Sequence, residues 1–187
     1  MGKHPTSKER QPVGRTHSVA KLNRLHLESM TPLFNRYNHM KPSSQLAGVA
    51  GEYFVAAELS RRGFIASITM RNSPGIDILA TDIRAKKAVT IQCKTSRSST
   101  KGWILSDKAE DFTPKHHFYV FVRLGEKNVH PAYHIVPAKI VAKYVSSRHQ
   151  AWLKGKKPNG GQRKDSAMRK FRDEDNKYLG RWDLLGL

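Results

Sequence analysis

Residues 75–96 read Gly-Ile-Asp-Ile-Leu-Ala-Thr-Asp-Ile-Arg-Ala-Lys-Lys-Ala-Val-Thr-Ile-Gln-Cys-Lys-Thr-Ser, two apolar runs separated by a short basic break. Asp77 opens the first run, and Gln92 and Lys94 close the second. Side chains two residues apart on a strand share a face, so Gln92 and Lys94 point together and Cys93 points away. If the runs pair as strands, Asp77, Gln92 and Lys94 converge at one sheet edge. A carboxylate, an amide oxygen and an ammonium group predict a site for a divalent cation and a phosphate.

A helix is predicted over residues 44–62, ahead of this stretch. Ser43 or Ser44 supplies an N-cap, and Gly63 stands at the usual C-terminal stop. The helical period predicts an apolar stripe for the core, made of Leu46, Val49, Ala50, Phe54 and Ala57.

Five strands are predicted from apolar runs and turn residues, over 64–70, 76–81, 88–95, 118–124 and 132–136. The first three follow one another too closely for crossover helices, which favours an antiparallel start to the sheet. The run at 118–124 is apolar throughout, as expected of a strand buried on both faces. Pro137 then fits the start of a second long helix.

This segment resembles the PD-(D/E)xK nuclease superfamily, and within it the Mrr-like and Holliday-junction-resolvase-like branches. The resemblance covers residues 44–144 and rests on Glu52 in the helix, Asp77 at a strand start, and Gln92-Cys93-Lys94 on the next strand. It implies an α/β restriction-endonuclease-like fold with an αβββαβ core and a central mixed sheet flanked by helices. Gln92 departs from the pattern, because it stands where most members carry an acid.

The resemblance also implies a metal-dependent DNA endonuclease that uses Mg²⁺ or Mn²⁺. Its catalytic residues would be Glu52, Asp77, Gln92 and Lys94. The metal ligands would be Asp77, Glu52, the Gln92 side-chain oxygen and the backbone carbonyl of Cys93. For each of these there is a plainer interpretation, such as a turn-forming Asp, an exposed helix glutamate or a surface lysine. Cys93 itself is expected to be a buried structural thiol rather than a nucleophile.

The charge of the chain points to a polyanionic partner. Its 187 residues include 34 Lys and Arg against 15 Asp and Glu, a net charge of +19. Nucleic acid is the commonest such partner, and a membrane surface normally requires an amphipathic helix or a lipid as well. No apolar run approaches the length of a membrane span. A single cysteine excludes an internal disulfide framework, so a reducing cytoplasm is the expected location.

Basic residues that flank the predicted core are expected to contact phosphates without reading sequence. They are Arg97, Lys101, Lys154, Lys156, Lys157, Arg163 and Lys164. The chain is predicted to comprise a basic N-terminal arm at 1–43, a nuclease-like core at 44–153 and a basic C-terminal extension at 154–187, which packs back through 178–187. Double-strand cutting usually needs two active sites, which favours a homodimer.

Two alternatives to a nuclease remain open from the sequence. The first is a non-catalytic DNA- or RNA-binding protein that keeps the nuclease-like fold, an interpretation that Gln92 supports. The second is a basic RNA-associated protein in which the Asp and Lys pattern is accidental. Metal binding separates the nuclease from both, and competition between DNA and RNA separates the last.

Overall fold

The computed structural model describes residues 42–70, 73–97, 102–126 and 128–187. Most of the predicted N-terminal arm and Lys101 lie outside these ranges. The elements, in chain order, are α1 (Ser44–Arg61), β1 (Ile65–Ile68), β2 (Ile78–Thr81), β3 (Ala88–Ser96), β4 (Trp103–Ser106), the 3₁₀ helix η1 (Asp107–Glu110), β5 (His117–Arg123), β6 (Ala132–Pro137), α2 (Ala138–Lys154), β7 (Met168–Phe171) and the 3₁₀ helix η2 (Trp182–Leu185).

The central sheet has five strands in the order β1-β2-β3-β5-β6. The predicted antiparallel start is confirmed, because β2 runs antiparallel to both β1 and β3. β3 and β5 are parallel, and β5 and β6 are antiparallel. The sheet is therefore mixed, as predicted. The described part of the crossover between β3 and β5 carries β4 and η1, and β4 forms a separate two-stranded sheet with β7.

The two faces of the sheet support separate hydrophobic clusters, because side chains alternate along β5. Phe118, Val120 and Val122 pack with Val55 and Leu59 of α1. Tyr119 and Phe121 face the other way, into a cluster that includes Val141 and Val145 of α2. β5 is thus buried on both sides, as its apolar run predicts. The architecture is an α/β sheet flanked by helices, which confirms the predicted fold class.

The predicted core stripe of α1 is wrong by one position. The helix buries Ala47, Gly51, Val55 and Leu59 at intervals of four residues. Leu46 and Phe54, expected in the core, are instead 61% and 43% exposed. The reason is that apolar residues lie on several sides of this helix, so its period does not mark one face.

Both ends of α1 follow their local chemistry. The Ser43 hydroxyl accepts a hydrogen bond from the Leu46 N–H at 3.2 Å, which satisfies one of the free donors of the first turn. Gly63, with φ of +88°, takes the left-handed conformation that ends many helices. These caps fix where α1 begins and ends over the sheet. In the described residues, neither α1 nor α2 offers an apolar stretch of the length that a bilayer span requires.

Candidate active site

A cleft of about 270 Å³ opens between the N-terminal half of α1 and the start of β2. Both proposed carboxylates, Glu52 and Asp77, line it. The rest of its lining comes from Ser44, Gln45, Gly48, Val49 and Thr69. Among the described residues, Gln92 and Lys94 are not part of this wall, although they lie on the adjacent strand.

Asp77 is held in place by three hydrogen bonds. It directly precedes β2, and its N–H donates to the Ile91 carbonyl of β3 at 2.8 Å. Its own carbonyl accepts from the Thr69 N–H at 2.9 Å. Its carboxylate oxygen Oδ2 accepts from the Cys93 N–H at 2.7 Å. The side chain therefore takes the place that a residue before Asp77 would have filled if β2 had started earlier, and it is fixed against the strand that carries Lys94.

The alternation predicted for β3 is present in its burial. Val89, Ile91 and Cys93 are buried in the cluster beneath α1, whereas Gln92 and Lys94 are half-buried. The N–H and C=O of one residue in an antiparallel ladder point to the same neighbour. Because the Cys93 N–H points to Asp77, the Cys93 carbonyl is directed toward the same sheet edge.

Three charged side chains act on the buried Cys93 thiol. Burial is the main cause that raises its pKa well above the ordinary value, and the carboxylates of Asp77 and Glu52 raise it further. The ammonium group of Lys94 opposes them. The Cys93 thiol therefore lies near three charged side chains, those of Glu52 on α1, Asp77 before β2 and Lys94 on β3.

The Asp77 carboxyl is electrostatically unfavourable as an anion in the folded chain. Burial raises its pKa above the ordinary value, and the Cys93 N–H and the Lys94 charge offset part of that rise. A buried carboxylate whose charge is only partly compensated is typical of functional sites. A cation in the cleft would supply the missing compensation.

The donor atoms suit a hard cation. In the cleft, Asp77 and Glu52 offer carboxylate oxygens, and the Cys93 carbonyl is directed toward Asp77, whereas the Gln92 amide lies outside the cleft wall. Within the described ranges, no three or more His, Cys, Asp or Glu residues form a group that could hold a metal ion. Two carboxylates fit Mg²⁺, which takes few protein ligands and completes its shell with water and substrate oxygens.

The predicted phosphate-binding residues divide into exposed and engaged groups. Lys154, Lys156, Lys157 and Lys164 are exposed, and an isolated bridge between Lys156 and Gln162 closes a basic turn after α2. Arg163 donates to the Trp152 carbonyl at 2.8 Å and lies over the Trp152 ring. Arg97 donates to the Pro42 carbonyl. The lysines of this turn therefore offer more freely available charge than the two arginines.

Three residues of the cleft wall were not singled out in the sequence: Gln45, Gly48 and Thr69. Thr69 donates its hydroxyl to the Ile76 carbonyl at 2.6 Å and so closes the loop that leads to Asp77. Gly48 precedes Glu52 by one helical turn, and a Cβ atom there would meet nothing within 4 Å. The spacing of Gly48 and Glu52 is a usable signal for a shared face, whereas nothing in the sequence marks Thr69.

The topology of the sheet, with α1 laid over an antiparallel β1-β2-β3 meander and a parallel β3-β5 pair, decides the fold. It is an α/β fold with a mixed five-stranded sheet. In this fold, Glu52 lies on α1, Asp77 directly precedes β2 and Lys94 lies on β3, the positions predicted for them from the sequence.

Solved structures that resemble the chain include a homing endonuclease and a Holliday junction resolvase. One is I-Ssp6803I, a bacterial homing endonuclease, with a TM-score of 0.47 and 14% identity, over 78% of this chain and 92% of that chain. The other is Hjc, a Holliday junction resolvase from Archaeoglobus fulgidus, with a TM-score of 0.45 and 13% identity, over 74% of this chain and 95% of that chain. No family model matches the chain, and no curated protein sequence matches it.

Proposed function

We propose that the chain is a DNA endonuclease that hydrolyses phosphodiester bonds with Mg²⁺ or Mn²⁺. One observation carries this proposal. Asp77 and Glu52 line the same cleft, and the Asp77 carboxylate is hydrogen-bonded to the main chain one residue before Lys94.

The metal would be held by Asp77 and Glu52, with the Gln92 amide and the Cys93 carbonyl as further oxygen donors. When bound, Mg²⁺ polarises a phosphate oxygen and makes water a stronger nucleophile at neutral pH. The chain itself supplies the fixed carboxylates. The hydrogen bond from Cys93 orients Asp77 before any substrate arrives, so little reorganisation accompanies the reaction.

Lys94 is the cation of the site. It follows Cys93 on β3, and its charge acts on both the Asp77 carboxyl and the Cys93 thiol. An ammonium group held there would stabilise the negative charge that develops on the phosphate in the transition state. It would also orient the attacking water by hydrogen bonding.

DNA affinity would come from the basic surface outside the cleft. Lys154, Lys156, Lys157 and Lys164 neutralise phosphates, and Arg97, Lys101 and Arg163 are further candidates. With a net charge of +19, the chain would bind DNA strongly at low salt and with little dependence on sequence. A homodimer would supply the two active sites that a double-strand break requires.

A plasmid assay tests the proposal. Supercoiled plasmid incubated with the protein and Mg²⁺ or Mn²⁺ should be nicked or linearised, and EDTA should prevent it. Asp77→Asn is the matched control for contaminating nucleases, because it removes one charge with almost no change in shape. Cutting by that variant at the wild-type rate would refute the assigned site.

A non-catalytic nucleic-acid-binding protein is the second candidate function. Gln92 favours it, because Gln supplies an oxygen without the negative charge that attracts a metal. The scarcity of acidic metal ligands in the described residues favours it as well. This alternative predicts tight, salt-dependent DNA binding with no effect of Mg²⁺ on either strand integrity or thermal stability.

A further inference from the structure

The buried face of α1 approaches β3 very closely at Gly51 and Thr95. A Cβ atom on Gly51 would lie 1.9 Å from the Thr95 hydroxyl oxygen and 3.0 Å from the Thr95 Cβ. The Thr95 hydroxyl is buried and has no hydrogen-bond partner among the described residues. It therefore occupies the space that any side chain at position 51 would need.

Gly51 and the buried Thr95 hydroxyl each lower the stability of the folded protein. Glycine in the interior of a helix is unfavourable relative to alanine, because it loses more backbone freedom on folding. A buried hydroxyl without a partner loses its hydrogen bonds to water and gains none in return. Such costs concentrate at functional sites, where geometry matters more than stability.

The contact bears on the candidate site because each of its two residues is next to a proposed site residue in the sequence. Gly51 immediately precedes Glu52, and Thr95 immediately follows Lys94. We infer that Thr95 is a positioning residue, whose contact with Gly51 sets the separation of α1 and β3. That separation fixes how far the Glu52 carboxylate reaches toward Asp77 and Lys94. The inference rests on the proposed function, since it assigns a role in the same site.

Gly51→Ala tests this contact. Rotation of the Thr95 side chain can move its hydroxyl aside, but the Thr95 Cβ stays 3.0 Å from the added methyl group, so α1 must still shift by a few tenths of an ångström. Misplacement of a catalytic group by about 1 Å lowers rates by about 10²-fold, so this smaller shift should lower plasmid cleavage by about 3- to 10-fold. DNA affinity should stay at the wild-type value.

A double variant separates positioning from simple loss of stability. If Gly51 acts through Glu52, then Gly51→Ala in a Glu52→Gln background should be no slower than Glu52→Gln alone. Calorimetry with Mn²⁺ and DNA-free protein gives a readout that does not depend on cleavage. Gly51→Ala and Glu52→Gln should weaken Mn²⁺ binding by similar factors.

Changes at Thr95 complete the test. Thr95→Gly removes all three atoms that an alanine at position 51 would meet, so the pair Gly51→Ala and Thr95→Gly should recover Mn²⁺ affinity and cleavage. Thr95→Val keeps the shape of the side chain and should retain both. Ser60→Ala, at an exposed position of α1 outside the cleft, is the control for stability alone, and it should raise the melting temperature because alanine is the better helix former.

Wild-type cleavage and Mn²⁺ affinity in Gly51→Ala would overturn the inference. The inference would also be overturned if the double variant cleaved more slowly than Glu52→Gln by the same factor that Gly51→Ala loses on its own. A wild-type protein that binds Mn²⁺ through Glu52 but cuts no DNA would refute the proposed function alone, because the calorimetric comparison still decides the role of Thr95. A wild-type protein that binds no Mn²⁺ would overturn both.

Discussion

The main-chain N–H of Cys93 lies 2.7 Å from Oδ2 of Asp77 and donates to it a hydrogen bond of the kind that otherwise joins two strands. A side-chain carboxylate thus extends the β2-β3 ladder beyond Ile78, the first residue of β2. Asp77 is thereby held against β3, the strand that carries Lys94. A substitution at either residue should therefore affect the position of the other.

Asp77→Asn should stabilise the protein at neutral pH. The folded chain raises the pKa of Asp77 through burial, so ionisation of this carboxyl opposes folding. The penalty is small below the ordinary pKa of 3.8, where the carboxyl is mostly protonated in both states. It grows as the pH rises through the folded pKa and is complete above it. Urea unfolding at pH 3.5 and pH 7.5 should show a gain for Asp77→Asn only at the higher pH. An equal difference at both values would contradict the burial of an anion.

Lys94→Ala should abolish nicking without weakening DNA binding. Loss of a charge that stabilises the transition state typically costs about 10²-fold or more in rate. Lys86→Ala removes the same charge from the exposed loop between β2 and β3 and serves as the matched control. Single-turnover cleavage at saturating protein measures the rate apart from affinity. Equal rates for the two variants would remove Lys94 from the site.

Gln92 and Glu52 should respond in opposite directions to exchange of amide and acid. Glu52→Gln removes one of two carboxylates and should cripple cleavage. Gln92→Glu adds a carboxylate with little change in shape, so it should tighten Mg²⁺ binding and preserve or raise the rate. Cleavage rates across a Mg²⁺ titration compare the two. A silent Glu52→Gln together with a dead Gln92→Glu would mean that neither residue binds the metal as assigned.

The basic turn after α2 should determine much of the salt dependence. Neutralising Lys154, Lys156 and Lys157 should reduce the slope of log affinity against log salt by about 2 to 3, since each phosphate contact contributes about 0.9. Sequence preference should not change. A control variant neutralised at the exposed Arg84, Lys86 and Lys139 should keep the wild-type slope. Equal slopes for the two triple variants would show that the turn does not contact DNA.

His117 should make the protein sensitive to acid. Burial lowers its pKa to about 4, its Nδ1 lies 2.8 Å from the Thr90 hydroxyl, and its Nε2 has no partner among the described residues. The unfolded chain takes up the proton first, so stability falls between pH 6.5 and pH 4 by about 3 kcal/mol at most. His117→Asn, which does not titrate there, should lack this component. An NMR titration of the wild-type ring with a midpoint near 6.5 would contradict it.

The sequence predicts the sheet better than it predicts the helix over it. Strand pairing followed from short connections and from the alternation of Ile91, Gln92 and Cys93, which are local properties. The register of α1 did not, because Leu46 and Phe54 compete with Val55 and Leu59 for the core, and only tertiary packing decides between them. The strand at 88–96 could therefore be predicted from its own sequence, whereas the buried face of α1 depends on how the helix packs against the sheet.

Contacts between distant residues are the other part that the sequence did not reveal. The small β4-β7 sheet joins Trp103 to Phe171, and each of its strands has only four residues. The near-contact of Gly51 with Thr95 depends on how closely two elements pack. A glycine inside a helical pattern signals that something lies near, but it does not say what.

The C-terminal segment runs along the outer edge of β6. The Ile135 N–H donates to the Tyr178 carbonyl at 3.0 Å, and the Gly180 N–H donates to the Tyr133 carbonyl at 2.8 Å. The Asp173 carboxylate oxygen Oδ2 is hydrogen-bonded to Nδ1 of His134 at 2.7 Å. Trp182 lies in the cluster beneath α1. A chain cut before Asp173 would expose an unpaired strand edge, the kind of surface on which proteins aggregate. Deletions for crystallisation that remove this segment should therefore yield a protein that aggregates.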